Sequence, residues 1–354
     1  MEAFLEHSWE TIDPQTWNRL CLQGATNTVF QTYQWHAAWL EEFGKYDGNK
    51  IFLVQVNDNG RLIGLAPLMI VKKGSLRILK FIGTGHSDYC DFIYDKTNTA
   101  ILSEIFKFLS ARKSEWDAMA LDNIPRESPT AGMINELSLM CGFWPSLYSK
   151  HPCPVIIFDP AKELVEELIS KKSLNRHYQY FQKKGGYQVL HLKTADKIMP
   201  FLEQFFQQHI QRRKAARHQS LFAKEHHQQF YKNLVKSLCP NQWLNFTVLQ
   251  SQEQCIAFHF GLTYNQRFIW YKPSFDTLLS KYSPGEVLLR ELLIYAQGHD
   301  FKEFDFSIGD EPFKKRFANH TRQNDSFKIF KSKQDYWVHR GIKLLKSVNF
   351  LGNR

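Results

Sequence analysis

Apolar and polar positions along this chain follow two periods, and the changes between them mark its elements. Tyr33 to Phe43 carries apolar residues at helical spacing. IFLVQV, the turn Asn57-Asp58-Asn59-Gly60 and RLIGLAPLMIV then read as a β-hairpin. LRILKFIG follows as a strand, and a glycine-broken segment from Gly83 to Phe92 precedes a helix over 100–110 and a strand over 117–121. Pro152 and Pro154 interrupt any helix or central strand, which predicts a boundary at this point and domains of 1–154 and 155–354. Past the boundary, lysine-rich helical sequence from Lys162 to Lys184 ends at Gly185-Gly186. Helices over 198–213 and 224–238 follow, then the strands WLNFTVLQ, CIAFHFGLTY and RFIWYKP. The order of elements repeats between the halves, although the residues do not.

The next stretch, YSPGEVLLRELLIYAQ followed by KEFDFSIGDEPFKKRF, carries the most chemistry. Ser283, Pro284 and Glu286 stand where a capping box with proline at the first helical position would place them. Leu288, Leu289, Leu292, Leu293 and Ala296 keep helical spacing, and Phe304-Asp305-Phe306 alternates as a half-buried strand. A helix opening on Ser283-Pro284-Gly285 offers free N–H groups and a positive end to a phosphate, or is simply a good helix start. Asp305, between two aromatic rings, suits a general base that takes a proton from an attacking amine; the alternative is an ion pair with Lys314, Lys315 or Arg316. Those cations either hold an anionic substrate or form a solvated basic face. His259 lies mid-strand in Ala257-Phe258-His259-Phe260-Gly261, as a hydrogen-bonded structural histidine or a catalytic one. Tyr271 either packs or donates a proton to a leaving group. Asp88 and Asp91, near Gly83 and Gly85, mark a tight functional loop or a turn between strands.

Composition narrows the class. At 354 residues, with 43% hydrophobic and 15% aromatic residues, the chain is globular and long enough for two cores. Residues 1–155 hold 14 Lys and Arg against 17 Asp and Glu, a balance of −3; residues 156–354 hold 31 against 18, a balance of +13. The second half therefore meets something anionic, whether nucleic acid, a membrane surface or a phosphorylated cofactor. The six cysteines lack CxxC pairs and companion histidines, so no metal site is expected. MEAFLEHSWE lacks the basic start and apolar core of a secretory signal, and no apolar run approaches the ~20 residues of a membrane span. A soluble, cytoplasmic chain with reduced thiols is the expectation.

Taken in order, FQTYQWHAAWLEEFG, FIGTGHSDYCDF, SKKSLNRHYQYFQKKGGY, FHFGLTY, YKPSFDTLLSKYSPGEVLLRELL and FDFSIGDEPFKKRF resemble the CelD-like branch of the GNAT acyltransferase superfamily. That branch is related to the FemAB-like peptidoglycan aminoacyltransferases, and the resemblance runs from about Phe30 to about Phe317. It implies an α+β chain of two tandem GNAT-like modules, each a mixed, mostly antiparallel sheet flanked by helices. The C-terminal module would hold the donor, and Tyr282, Ser283, Pro284 and Gly285 correspond to the turn that takes the coenzyme A pyrophosphate, in a form that keeps a single glycine. The implied activity is N-acyl transfer, in the first instance of acetyl, from acyl-coenzyme A to an amino group of a sugar, peptide or small metabolite. Asp305, or an ordered water, would remove the proton. The acceptor is expected in the groove between the modules, reached by Asp88, Tyr89, Lys314 and Arg316. Two other functions fit the same residues: a FemAB-like aminoacyltransferase using aminoacyl-tRNA, and a non-catalytic binding module of an envelope polysaccharide system.

Overall fold

In a computed structural model that describes residues 1–46, 48–158 and 164–338, the chain forms two compact units. The first is Met1–His151 with the segment starting at Gln323, and the second is Pro152–Arg322. Lys162, where the lysine-rich helix was expected to start, lies outside the described residues.

The first unit begins with β1 (Glu2–Glu6), α1 (Pro14–Gln23) and α2 (Tyr33–Phe43). The hairpin β2 (Lys50–Asp58) and β3 (Arg61–Lys73) turns on Asn59 and Gly60, both at positive φ, as a tight two-residue connection requires. There follow β4 (Leu76–Phe81), β5 (Ile93–Tyr94), α3 (Ala100–Ala111), β6 (Ala118–Pro125), α4 (Pro129–Met140) and β7 (Trp144–Ile157). Strand alternation divides the packing. Phe52, Val54, Leu68 and Leu79 join Ile101, Ile105 and Ile134 in the larger core, while Leu53 and Leu65 meet Trp17 and Leu20 of α1 on the other face.

The second unit contains α5 (Leu164–Ile169), α6 (Lys172–Lys183), β8 (Gln188–Leu192), α7 (Ala195–Ala215), α8 (Glu225–Leu238), β9 (Leu244–Ser251), β10 (Gln254–Tyr264), β11 (Arg267–Phe275), α9 (Pro284–Gly298), β12 (Glu303–Asp305) and α10 (Pro312–Phe317). The final strand, β13, runs His320–Phe330.

The units repeat one topology. In the first, β2, β3 and β4 form an antiparallel meander, α3 crosses over, and β6 returns parallel to β4. In the second, β9, β10 and β11 form the meander, α9 crosses over, and β12 returns parallel to β11. Each then receives its closing strand from the other half of the chain. β7 leaves the first unit and its Val155–Ile157 end pairs antiparallel with β12, while β13 pairs antiparallel with β6. A division at 154/155 leaves Gln323–Phe330 with the second module, whereas the strand and its Phe327 and Ile329 side chains complete the first unit's core.

Pro152 and Pro154 do not break the strand as expected, since β7 continues through both. Their carbonyls accept from Gly309 N–H at 3.0 Å and Phe306 N–H at 3.0 Å. The neighbouring segment thus asks them for acceptors, which proline retains, and not for the N–H it lacks.

Candidate functional site

The parallel pairing in the second unit is short. Arg267, Phe268 and Ile269 face Glu303, Phe304 and Asp305, and there β12 ends while β11 runs on to Phe275. Beyond Asp305 the chain turns to β7 through the Phe306 and Gly309 hydrogen bonds, so the two parallel strands part at Ile269 and Asp305. Asp305 stands at this fork with 1% of its surface exposed. Its carboxylate accepts the Ser307 N–H at 2.7 Å, and Ser307 takes a left-handed φ of 60° to make that turn. Two of the cations offered as its ion-pair partners have other engagements. Lys314 is buried, donates to the Ile308 carbonyl at 2.7 Å and pairs with Glu311 at 3.0 Å. Arg316 donates to Glu286 at 2.7 Å and lies over the Phe317 ring.

His259 and Tyr271 are brought together by a bulge. β10 and β11 slip register between Phe260 and Leu262, and the displaced Tyr271 N–H donates to His259 Nε2 at 3.2 Å. An imidazole that accepts at Nε2 carries its proton on Nδ1. Burial holds the ring far below the ordinary histidine range, at about 3, so it stays neutral. Gly261 is required beside it, because a Cβ there would lie 2.5 Å from His259 Cε1 and 2.9 Å from the Asn245 carbonyl. The Tyr271 hydroxyl accepts from Tyr231 of α8 at 3.0 Å, a partner that no local sequence signal announces.

The α9 N-terminus differs from the expected capping box. Ser283 has φ 51° and ψ 56°, and its side chain makes no cap hydrogen bond. A left-handed residue turns its side chain away from the first-turn N–H groups, and Glu286 looks outward to Arg316 and, at 3.8 Å, to His177 of α6. A Cβ on Gly285 would sit 3.1 Å from Phe275 Cδ1, so the glycine lets the helix start pack on the end of β11. Tyr282 stacks on Tyr180 of α6 with centroids 3.6 Å apart, and Lys281 lies over the Tyr282 ring. The place of α6 over this helix end was not legible beforehand; the signal available was the Leu174, His177, Phe181 stripe of that helix, now buried.

Asp88 and Tyr89 belong to the first unit. The Asp88 carbonyl accepts from Asn324 at 2.8 Å, and Tyr89 is buried against Phe30. Asp91 locks the loop, accepting from Ser128 at 2.5 Å, Thr26 at 2.6 Å and the Phe92 N–H at 2.8 Å. Burial raises its carboxyl above the usual range against these bonds. Among the described residues no group of three or more His, Cys, Asp or Glu is placed to hold a metal.

A meander, a crossover helix and a parallel returning strand are the topology of a GNAT-like module, present here twice in tandem. The sequence agrees: residues 170–315 match the acetyltransferase (GNAT) domain family, and this chain is an acyltransferase in that part. No curated protein matches the sequence. Among solved structures, FemX matches with a TM-score of 0.63 at 11% identity, over 92% of this chain and 97% of that one. L-PGS from Bacillus licheniformis matches at 0.56 and 12% identity, over 97% of each chain. The C-terminal domain of a putative lysylphosphatidylglycerol synthetase from Agrobacterium fabrum matches at 0.52 and 12%, over 91% and 94%. At such identities the likeness is one of fold.

Proposed function

We propose that this chain is an N-acyltransferase of the CelD-like branch that moves an acyl group, in the first instance acetyl, from coenzyme A to an amine. The observation that carries this is the fork in the second unit, where Asp305 stands at the point at which β11 and β12 part. An extended donor bearing amide groups pairs naturally along a strand edge such as β11 beyond Ile269. Its phosphates then meet the first-turn N–H groups of α9 around Gly285. A neutral amine attacks the thioester carbonyl, the C–N bond forms as the C–S bond breaks, and the thiolate leaves. Asp305, directly or through a water, takes the amine proton. His259 does not exchange protons in this scheme; it fixes the Tyr271 backbone, while the Tyr271 hydroxyl donates to the leaving sulfur. The location that goes with this reading is the cytoplasm, where thiols such as the six free cysteines stay reduced. The test is release of coenzyme A thiol from acetyl-coenzyme A with a panel of amines. Asp305→Asn should lower kcat about 10²–10⁴-fold with donor affinity nearly unchanged; an unchanged kcat removes Asp305 from the chemistry.

One observation favours a second reading, transfer from aminoacyl-tRNA. The Tyr180–Tyr282 stack has Lys281 on it, and Lys183, Lys184 and Arg176 lie exposed along α6. Aromatic rings interleaved with cations bind nucleic-acid strands. Binding of tRNA that weakens steeply with salt, and that is lost in Lys183→Glu/Lys184→Glu, would favour it over coenzyme A.

A further inference from the structure

The short helix α10 is seated by Phe317, buried in the core, and by Phe313, set edge-on to Phe306 with centroids 6.1 Å apart. Lys315 and Arg316 lie exposed on it, whereas Lys314 keeps only 5% of its surface. An ammonium is almost never buried without partners that offset its lost hydration. Here they are the Ile308 carbonyl, which accepts from Nζ at 2.7 Å, and the half-exposed Glu311 carboxylate at 3.0 Å. Both belong to the loop between β12 and α10. Gly309 makes room for the pair: at φ 144° it is bare where a Cβ would lie 2.5 Å from Lys314 Nζ and 2.0 Å from Glu311 Oε2.

The same loop carries the turn that aims Asp305. Its carboxylate accepts the Ser307 N–H two residues on at 2.7 Å, with Ser307 at φ 60°. A residue other than glycine stays in that left-handed region only where its surroundings hold it. Two elements do so. On one side the Pro154 and Pro152 carbonyls of β7 accept the Phe306 and Gly309 N–H groups, each at 3.0 Å. On the other, Lys314 takes the Ile308 carbonyl that lies between those two anchors, one residue past Ser307.

We propose that Lys314 is a positioning residue for acyl transfer: its ammonium, steadied by Glu311, pins the Ile308 carbonyl and so keeps the Ser307 turn and the Asp305 carboxylate in the attitude that takes the amine proton. The inference rests on the acyltransferase reading and deepens it. It also gives a reason for burying one lysine of Lys314-Lys315-Arg316 while its two neighbours face solvent.

The test follows hydrogen exchange at the Ser307 amide in the full chain and in Lys314→Met, whose side chain fills similar space without the charge. The variant should exchange that amide at least about tenfold faster, while the Tyr271 amide, bonded to His259, keeps its rate. With acetyl-coenzyme A and an amine that the wild type acylates, kcat should fall about ten- to a hundredfold and the donor KM should hold within about twofold. In an Asp305→Asn background the same substitution should leave kcat unaltered, which a general loss of packing would not do. Glu311→Gln, at a half-exposed site, should move both readouts the same way by less, and decides the matter if Lys314→Met does not fold. Wild-type exchange at Ser307 in the folded variants would overturn the inference, and so would an equal loss of kcat with and without Asp305. A wild type that acylates no amine counts against the acyltransferase reading alone, since exchange at Ser307 needs no donor and still decides whether Lys314 holds the turn.

Discussion

His259 and Asp305 are both buried titratable residues of one sheet. His259 is one of five histidines kept neutral chiefly by burial, with His209 at about 3 and His191, His36 and His227 at about 4, against an ordinary 6.5. Their folded values lie below the unfolded one, so the stability they contribute is complete above pH 6.5 and is lost as pH falls toward 4, where the unfolded chain binds protons the folded chain refuses. The melting temperature should fall across that window, and His259→Gln, whose amide oxygen can still accept the Tyr271 N–H, should fall less steeply. A profile flat from pH 6.5 to 4 would contradict this. Ala257-Phe258-His259-Phe260-Gly261 left a structural and a catalytic histidine both open, because a sequence does not show the register slip that strands the Tyr271 N–H. Once that slip is known, Gly261 follows, and Gly261→Ala should cost roughly 1–3 kcal/mol in denaturant unfolding.

At the scale of elements, periodic segments were legible and their ends were not. Tyr33–Phe43 is a helix as its spacing predicts, and Asn59-Gly60 makes the hairpin its residues predict. The α9 helix begins at Pro284 as expected, but Ser283 does not cap it. Cap side chains typically contribute ~1 kcal/mol, so Ser283→Ala should cost far less than that. Ser283→Gly should be neutral or stabilising by up to about 1 kcal/mol, since glycine takes a positive φ without strain. A loss of a full ~1 kcal/mol in Ser283→Ala, read from the denaturation midpoint, would restore the capping box. Arg316 illustrates the same limit: its basic run is plain in the sequence, but its partner Glu286 is 30 residues away and only folding reveals the pair.

Across the whole molecule, the duplication was visible as an order of elements and its closing strands were not. Strand pairing between residues some 200 positions apart, such as Asp325 with Ile124, leaves no local trace. The consequence is testable. A chain ending at Arg322 retains α1 to α10 but strips β6 of β13, removes Phe327 and Ile329 from the first core and takes the helical residues 333–338 with them. That truncation should lower the melting temperature of the first unit by many degrees or cause aggregation through the bared strand edge. An unchanged two-unit melt would show that β13 is dispensable.

The most direct test of the donor site is calorimetric titration of acetyl-coenzyme A into the wild type and Gly285→Glu. Gly285 packs on Phe275 at the start of α9, so the glutamate both crowds that contact and sets a negative charge where the pyrophosphate would lie. Saturable binding to the wild type that falls at least about tenfold in the variant, with its melting temperature preserved, is the predicted result. Equal binding by a folded Gly285→Glu, or none by the wild type, would contradict a coenzyme A site at the head of this helix.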